Sequence, residues 1–257
     1  EKGLEFSSCY GVSAGACSLC SFLSKQKGRA YSVSVDYLED KEYCSFYSLI
    51  TTGDLFGADM CYRKIPDELS PYDHDTFMKY SGDFYSVVTN IETGEPEYIP
   101  IKDLRKDIVA IRASASLPLV SRNVEINGKL YLDGGISDGI PLRRSMKDGN
   151  LKNVVVMTKE VGYRRKPSSM LGLTKMYYRK YPKVYELMKD RHIVYNDTLD
   201  LIEEQVKAGN TFLIQPKQKS EVGRIEKDKE QREKLYKKDP SKMNEKKYTQ
   251  KQAECDR

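Results

Sequence analysis

The sequence predicts an α/β fold in which helices cover both faces of a mostly parallel sheet. Strand-like runs alternate with helical runs along the chain, which favours parallel strands joined by helices. A strong hairpin signal, Asn127-Gly128, lies between two runs of alternating apolar residues. With 257 residues, 39% of them hydrophobic, the chain is long enough for one such domain with a sizeable core.

The first strand and the first helix meet at a serine. The run LEFSSCY at residues 4–10 predicts a short buried strand, and a helix is expected from Ala14 to about Lys25. The sequence YGVSAGACS at residues 10–18 therefore places Ser13 at a strand-to-helix junction within G-x-S-x-G. In that context the motif predicts a sharp turn that exposes a nucleophilic hydroxyl.

Ser13 is flanked by Gly11 and Gly15, the glycines expected to let the turn close. A serine hydroxyl is a weak nucleophile until a base accepts its proton. The helix after the turn would direct its positive end at the reacting centre. We expect the backbone N–H of Ala14 to donate one hydrogen bond to a developing oxyanion.

The remaining elements follow in order along the chain. Residues 31–72 are tyrosine-rich and are expected to be irregular. The later predictions are a strand at residues 83–91, a helix within 101–116 that stops before Pro118, a hairpin at 124–133, a helical stretch at 171–208, and strands at 153–158 and 210–216.

Asp133 is the candidate general base. It ends the second hairpin strand and precedes two glycines, which would allow another group to approach closely. A simple Asp-Gly turn is the alternative interpretation. The order Ser13, Asp133, His192 also matches an α/β-hydrolase triad, although His192 lies on an apolar helical stripe that favours packing. The other histidine, His74, lies between two aspartates in a predicted loop.

The net positive charge of the chain lies at its end. Residues 217–257 contain fourteen Lys or Arg and nine Asp or Glu, whereas the first 216 residues contain 29 of each sign. A segment that mixes both signs is typical of a solvated helix face. Peripheral contact of this basic tail with an anionic membrane is the alternative, and no nucleic-acid partner is expected.

The cysteines indicate no metal site. Cys17 and Cys20 form a C-x-x-C, but no second pair or nearby histidine completes a ligand set, and their spacing also suits packing on one helix. Six scattered thiols favour a reducing compartment, so we expect a cytoplasmic protein, with any membrane contact peripheral. No apolar run approaches the length of a membrane span.

Three segments taken together resemble the patatin-like phospholipases: GVSAGA, ASASLPLV at residues 113–120, and VEINGKLYLDGGISDGIPL at 124–142. The resemblance covers roughly residues 3–160 and implies a three-layer α/β/α sandwich. It also implies acyl-ester hydrolysis by a Ser–Asp dyad, with Ser13 as nucleophile and Asp133 as base. A lipid or acyl-ester substrate and no cofactor are implied as well.

One family feature is absent from residues 1–257, a glycine-rich loop that supplies oxyanion donors. We expect this loop, together with the family's own first strand that precedes it, upstream of Glu1. The expected organisation is a catalytic core at 1–160, a helical stretch and last strand of the same domain at 161–216, and a charged helical tail at 217–257. A Ser–Asp–His esterase and a catalytically silent lipid-binding relative remain the alternatives.

Overall fold

A computed structural model describes residues 4–219. The strands are β1 (Ser8–Val12), β2 (Asp83–Asn90), β3 (Pro96–Pro100), β4 (Val124–Ile126), β5 (Lys129–Asp133), β6 (Asn153–Val156) and β7 (Thr211–Ile214). The helices are α1 (Ala14–Leu23), α2 (Arg29–Asp36), α3 (Phe46–Thr52), α4 (His74–Met78), α5 (Leu104–Ser114), α6 (Leu142–Lys147), α7 (Leu171–Tyr177) and α8 (Pro182–Lys207). A π-helical segment, Met60–Leu69, and a 3-10 turn, Gly134–Ile136, complete these elements.

The predicted α/β architecture is confirmed, with a central sheet of mixed direction. Strand β1 pairs with β2 in parallel, whereas β3 and β5 pair with β2, and β4 with β5, in antiparallel fashion. Strands β6 and β7 form a separate parallel pair. The antiparallel part contains the hairpin β4–β5, whose short turn can join only antiparallel strands.

Two strands share one edge of β2. Strand β1 pairs with residues 83–87 of β2, and β5 pairs with residues 88–90. Strand β3 pairs with residues 85–89 and overlaps both of these stretches. Because a strand has only two edges, β3 occupies one edge, and β1 and β5 follow one another along the other.

The predicted hairpin turn is present. Asn127 and Gly128 have φ angles of 52° and 77°. Positive φ at both central residues is the conformation that matches the twist of the flanking strands, and Asn-Gly adopts it at low cost. The turn fixes the register so that Val124 pairs with Tyr131, which in turn fixes where β5 ends.

The buried core is arranged in layers around the sheet. One apolar cluster joins α1 and α5 to the sheet through Ala16, Cys20, Phe84 and Ile111. The long helix α8 contributes Val184 and Met188 to a second apolar cluster, which contains Leu132 of β5, and Leu199 and Ile202 to a third beside β6. Helices therefore cover the strands from more than one side, as expected for an α/β fold.

Two local expectations differ from the structure. Residues 31–72, expected to be irregular, contain most of α2, all of α3 and the π-helical segment. The apolar residues in this region are too interrupted by tyrosine, glycine and proline to give a clear helical period. The first strand also begins at Ser8 rather than at residue 4.

The basic tail predicted at residues 217–257 lies almost wholly outside the described residues, which end at Lys219. Across residues 4–219, no helix is both long enough and apolar enough to cross a membrane.

Candidate active site

Ser13 occupies a strained turn between β1 and α1. Its φ of 55° and ψ of −126° lie in a region that residues with a side chain rarely adopt. Such strain persists only where the surrounding structure enforces it, and it is concentrated at functional sites. A serine held in this way at a strand-to-helix junction has the geometry of a nucleophile elbow.

Gly11 enforces the turn by permitting close packing. A Cβ at Gly11 would lie 2.5 Å from the Cα of Ala16, so only glycine allows α1 to approach β1 this closely. Gly15 differs, because no described atom lies within 4 Å of its Cβ position. The two glycines of the motif therefore have different surroundings.

The backbone around Ser13 is held from two sides. The Ser13 N–H donates to the Oγ of Ser114 at the end of α5, at 2.9 Å. The Ser13 carbonyl accepts from the N–H groups of Ala16 and Cys17 as α1 begins. Ala14 is exposed in the first turn of α1, where backbone N–H groups lack intrahelical acceptors and can meet a bound anion.

Asp133 is a buried carboxylic acid at the end of β5, only 2% exposed. Its Oδ1 accepts from the N–H of Gly135 at 2.7 Å. Its backbone is also fixed, since its N–H donates to the Ser116 carbonyl at 2.8 Å and its carbonyl accepts from Thr89 Oγ1 at 2.8 Å. The carboxylate therefore has a defined orientation.

Both glycines after Asp133 lie where a side chain would collide. A Cβ at Gly134 would lie 2.2 Å from the Val87 carbonyl oxygen, and a Cβ at Gly135 would lie 2.9 Å from Asp133 Oδ1. The glycines thus allow the turn after β5 to fold back against β2.

The shared edge of β2 brings Ser13 and Asp133 together. Val12, the last residue of β1, pairs with Val87, and Asp133, the last residue of β5, pairs with Val88. The two strands run toward each other along this edge, so their ends meet at neighbouring residues of β2. The two residues singled out from the sequence therefore come together at one place in the sheet.

Arg191 of α8 also reaches this place. Its Nε donates to the Gly135 carbonyl at 2.5 Å. Its Nη2 lies 3.1 Å from the Cβ position of Gly135, the same point that Asp133 Oδ1 approaches to 2.9 Å. A guanidinium and the Asp133 carboxylate therefore lie against the same side of Gly135.

The sequence did not single out Arg191, because the order Ser13, Asp133, His192 points to its neighbour on α8. A signal was available, since Arg191 follows Met188 by three residues and precedes Tyr195 by four, spacings that share one helix face. His192 instead directs Nδ1 toward the Lys189 carbonyl in its own helix, at 3.1 Å. His74 lies at the start of α4, where burial lowers its pKa.

The predicted C-x-x-C lies on α1, one turn after Ser13. Burial raises the pKa of Cys17 to about 11 and also raises the pKa of Cys20, so both thiols are protonated at neutral pH. Among residues 4–219, no group of three or more His, Cys, Asp or Glu side chains is arranged to hold a metal ion.

Comparison with known families places this part of the chain in a family. The family model "Patatin-like phospholipase" matches residues 1–145, more than half of the chain and a span that includes both Ser13 and Asp133. The chain belongs to the patatin-like phospholipase family. A second model, "Domain of unknown function (DUF6363)", matches residues 181–253 and so includes α8 with Arg191.

A relative from Escherichia coli (strain K12) is similar to part of this patatin-like chain. "Uncharacterized protein YjjU" is 33% identical over 153 residues, which make up 58% of this chain and 42% of the relative. The chain thus spans less than half the length of the curated relative that it matches.

Proposed function

We propose that this chain is a serine acyl-ester hydrolase of the phospholipase A or lysophospholipase type, acting through a Ser13–Asp133 dyad. Its family supports hydrolysis of lipid acyl esters in general. The observation that carries the finer proposal is the shared edge of β2, on which the strands that end at Val12 and Asp133 pair with adjacent residues.

The proposed reaction has two steps. In the first, Asp133 accepts the proton of Ser13 as its Oγ attacks the ester carbonyl, and the same proton then passes to the leaving alcohol. The product is an acyl-enzyme. In the second step, Asp133 takes a proton from a water that attacks the acyl group, and the proton returns to Ser13 as the fatty acid leaves.

The charge that develops on the carbonyl oxygen must be met by donors near Ser13. The N–H of Ala14 and the positive end of α1 are the donors proposed from the described residues. The glycine-rich loop expected upstream of Glu1 lies outside the chain and stays a prediction. Membrane contact by the basic tail, residues 217–257, is likewise proposed from its charge alone.

The nucleophile is tested with a fluorophosphonate probe, which labels activated serines. We expect the parent chain to be labelled and Ser13→Ala to lose both labelling and ester hydrolysis. Ser18→Ala is the matched control, because Ser18 is an exposed serine on the same helix. Unchanged hydrolysis by folded Ser13→Ala would contradict the assignment, and a parent chain that is never labelled would favour the silent relative.

The base is tested by comparing two variants. Asp133→Asn should abolish hydrolysis, because an amide cannot accept the serine proton. His192→Ala should stay within a few-fold of the parent, since the His192 ring contacts its own helix. A loss of several orders of magnitude in folded His192→Ala would favour the Ser–Asp–His alternative.

A further inference from the structure

Helix α7 exposes several apolar side chains and buries a hydroxyl, although Leu171 at its start packs against the core. Thr174 is completely buried and its Oγ1 donates to the Met170 carbonyl at 2.9 Å, so this hydroxyl is satisfied inside the protein. Leu173, Met176 and Tyr177 face outward, and Met176 is 68% exposed and Tyr177 63%. A helix packed in an ordinary globular domain turns such apolar side chains toward the core.

Helix α3 also exposes apolar side chains and buries a hydroxyl. Ser48 is 2% exposed and its Oγ donates to the Asp54 carbonyl at 2.8 Å. Phe46, Tyr47 and Ile50 are exposed, and Ile50 retains 83% of its accessible surface. Two short helices therefore present apolar side chains to solvent while they bury hydroxyls. We call these six apolar residues of α3 and α7 the apolar surface.

One chain segment, residues 114–122, joins the apolar surface to the candidate active site. At its start, Ser114 accepts from the Ser13 N–H and the Ser116 carbonyl accepts from the Asp133 N–H. Further along, the Leu119 N–H donates to the hydroxyl of Tyr178, the residue after α7, at 3.2 Å.

The same segment also holds the loop after α3. The Val120 carbonyl accepts from Leu55 at 2.8 Å, and the Arg122 N–H donates to Asp54 Oδ1 at 2.9 Å. Residues next to both helices are therefore hydrogen-bonded to the segment that also contacts Ser13 and Asp133.

Basic residues predominate in the sequence around α7. Residues 161–185 contain seven basic side chains and no Asp or Glu, although the first 216 residues as a whole are balanced. Lys175, Arg179 and Lys180 are exposed on or next to α7 itself. An apolar helix face flanked by Lys and Arg is the composition of segments that lie in a membrane interface.

We propose that the apolar surface docks the protein on an anionic lipid bilayer. Leu173, Met176 and Tyr177 would enter the boundary between headgroups and acyl chains while the basic side chains near α7 contact the headgroups. This proposal rests on the proposed function and names a bilayer as the surface from which the acyl ester is taken. Arg164 is paired with Asp200 and Glu203, and Lys183 with Glu186. A protein partner or a second copy of this chain would therefore have to place acidic side chains opposite the exposed Lys175, Arg179 and Lys180, whereas an anionic bilayer offers negative charge across its whole surface.

The test measures binding of the full chain to vesicles of phosphatidylcholine with and without phosphatidylglycerol. We expect Met176→Ser to weaken binding to the mixed vesicles by about tenfold, and Leu173→Ser with Met176→Ser to weaken it further. Leu151→Ser is the matched control, since Leu151 is 82% exposed but lies just before β6, outside both helices. Ile50→Ser tests the contribution of α3.

The charged residues are tested separately. A triple variant, Lys175→Gln with Arg179→Gln and Lys180→Gln, should lose affinity for phosphatidylglycerol vesicles by about fivefold per charge at low salt. Its difference from the parent should shrink as salt is added. Binding to pure phosphatidylcholine should change little.

Three results would overturn the proposal. The first is equal vesicle binding by the parent and the Leu173/Met176 double variant. The second is a loss of vesicle binding in Leu151→Ser as large as the loss in the double variant. The third is a parent that self-associates through these residues while its vesicle binding survives their replacement. Hydrolysis of a soluble short-chain ester is measured in parallel, because vesicle binding without any hydrolysis would remove the proposed function and leave the apolar surface as a lipid-docking site.

Discussion

Gly11 and Gly15 flank Ser13 symmetrically in the motif, but only Gly11 is in close contact with neighbouring atoms. A methyl group at Gly11 would press on the backbone of Ala16, whereas one at Gly15 would enter open space. We therefore expect Gly11→Ala to lower the free energy of unfolding by about 1–3 kcal/mol, the usual cost of overpacking. Gly15→Ala should change it by less than about 0.5 kcal/mol. Urea unfolding of both variants checks this, and equal destabilisation would contradict the packing argument.

Among the elements, α8 links the region of the second family model to the proposed dyad. Arg191 donates to the Gly135 carbonyl, and the Gly135 N–H donates to Asp133 Oδ1. We therefore propose that Arg191 positions the Asp133 carboxylate. We expect Arg191→Gln to lower kcat roughly tenfold or more with little change in KM, because a small displacement of a general base slows proton transfer without affecting substrate binding. Lys189→Gln on the exposed side of α8 is the control. An effect on KM alone would mean that Arg191 contacts substrate instead.

At the scale of the whole molecule, α8 joins two cores. Val184 and Met188 pack with Leu132 beside the five-stranded sheet, and Leu199 and Ile202 pack with other apolar side chains beside β6 and β7. We expect Ile202→Ala to lower the free energy of unfolding by about 2–5 kcal/mol. Helicity and fluorophosphonate labelling should then be lost at the same, lower urea concentration. Val206→Ala, on the same helix but 39% exposed, should shift neither. Separate midpoints in Ile202→Ala would show that the two cores unfold independently.

The sequence was most informative where local chemistry determines the backbone. The Asn127-Gly128 turn and the junction at Ser13 were predictable because only a few residues tolerate those backbone angles. Arg191 was not, since its contact depends on how α8 docks, and the docking is set by packing far along the chain. The exposure of apolar side chains on α3 and α7 was also not predictable, because helical spacing shows that a helix has two sides without showing which side is buried.

Because two strand ends pair with the adjacent residues Val87 and Val88, the spacing of Ser13 and Asp133 depends on the number of residues along β2. Point substitutions around the sheet leave the count of residues along β2 unchanged, so relatives can diverge widely in side chains and keep the spacing. A single inserted residue between Val87 and Val88 would shift one strand end by a full step of about 3.3 Å and turn its side chain to the other face. An insertion in β2 is therefore expected to separate the two residues completely, whereas point substitutions around the sheet should change the site only gradually.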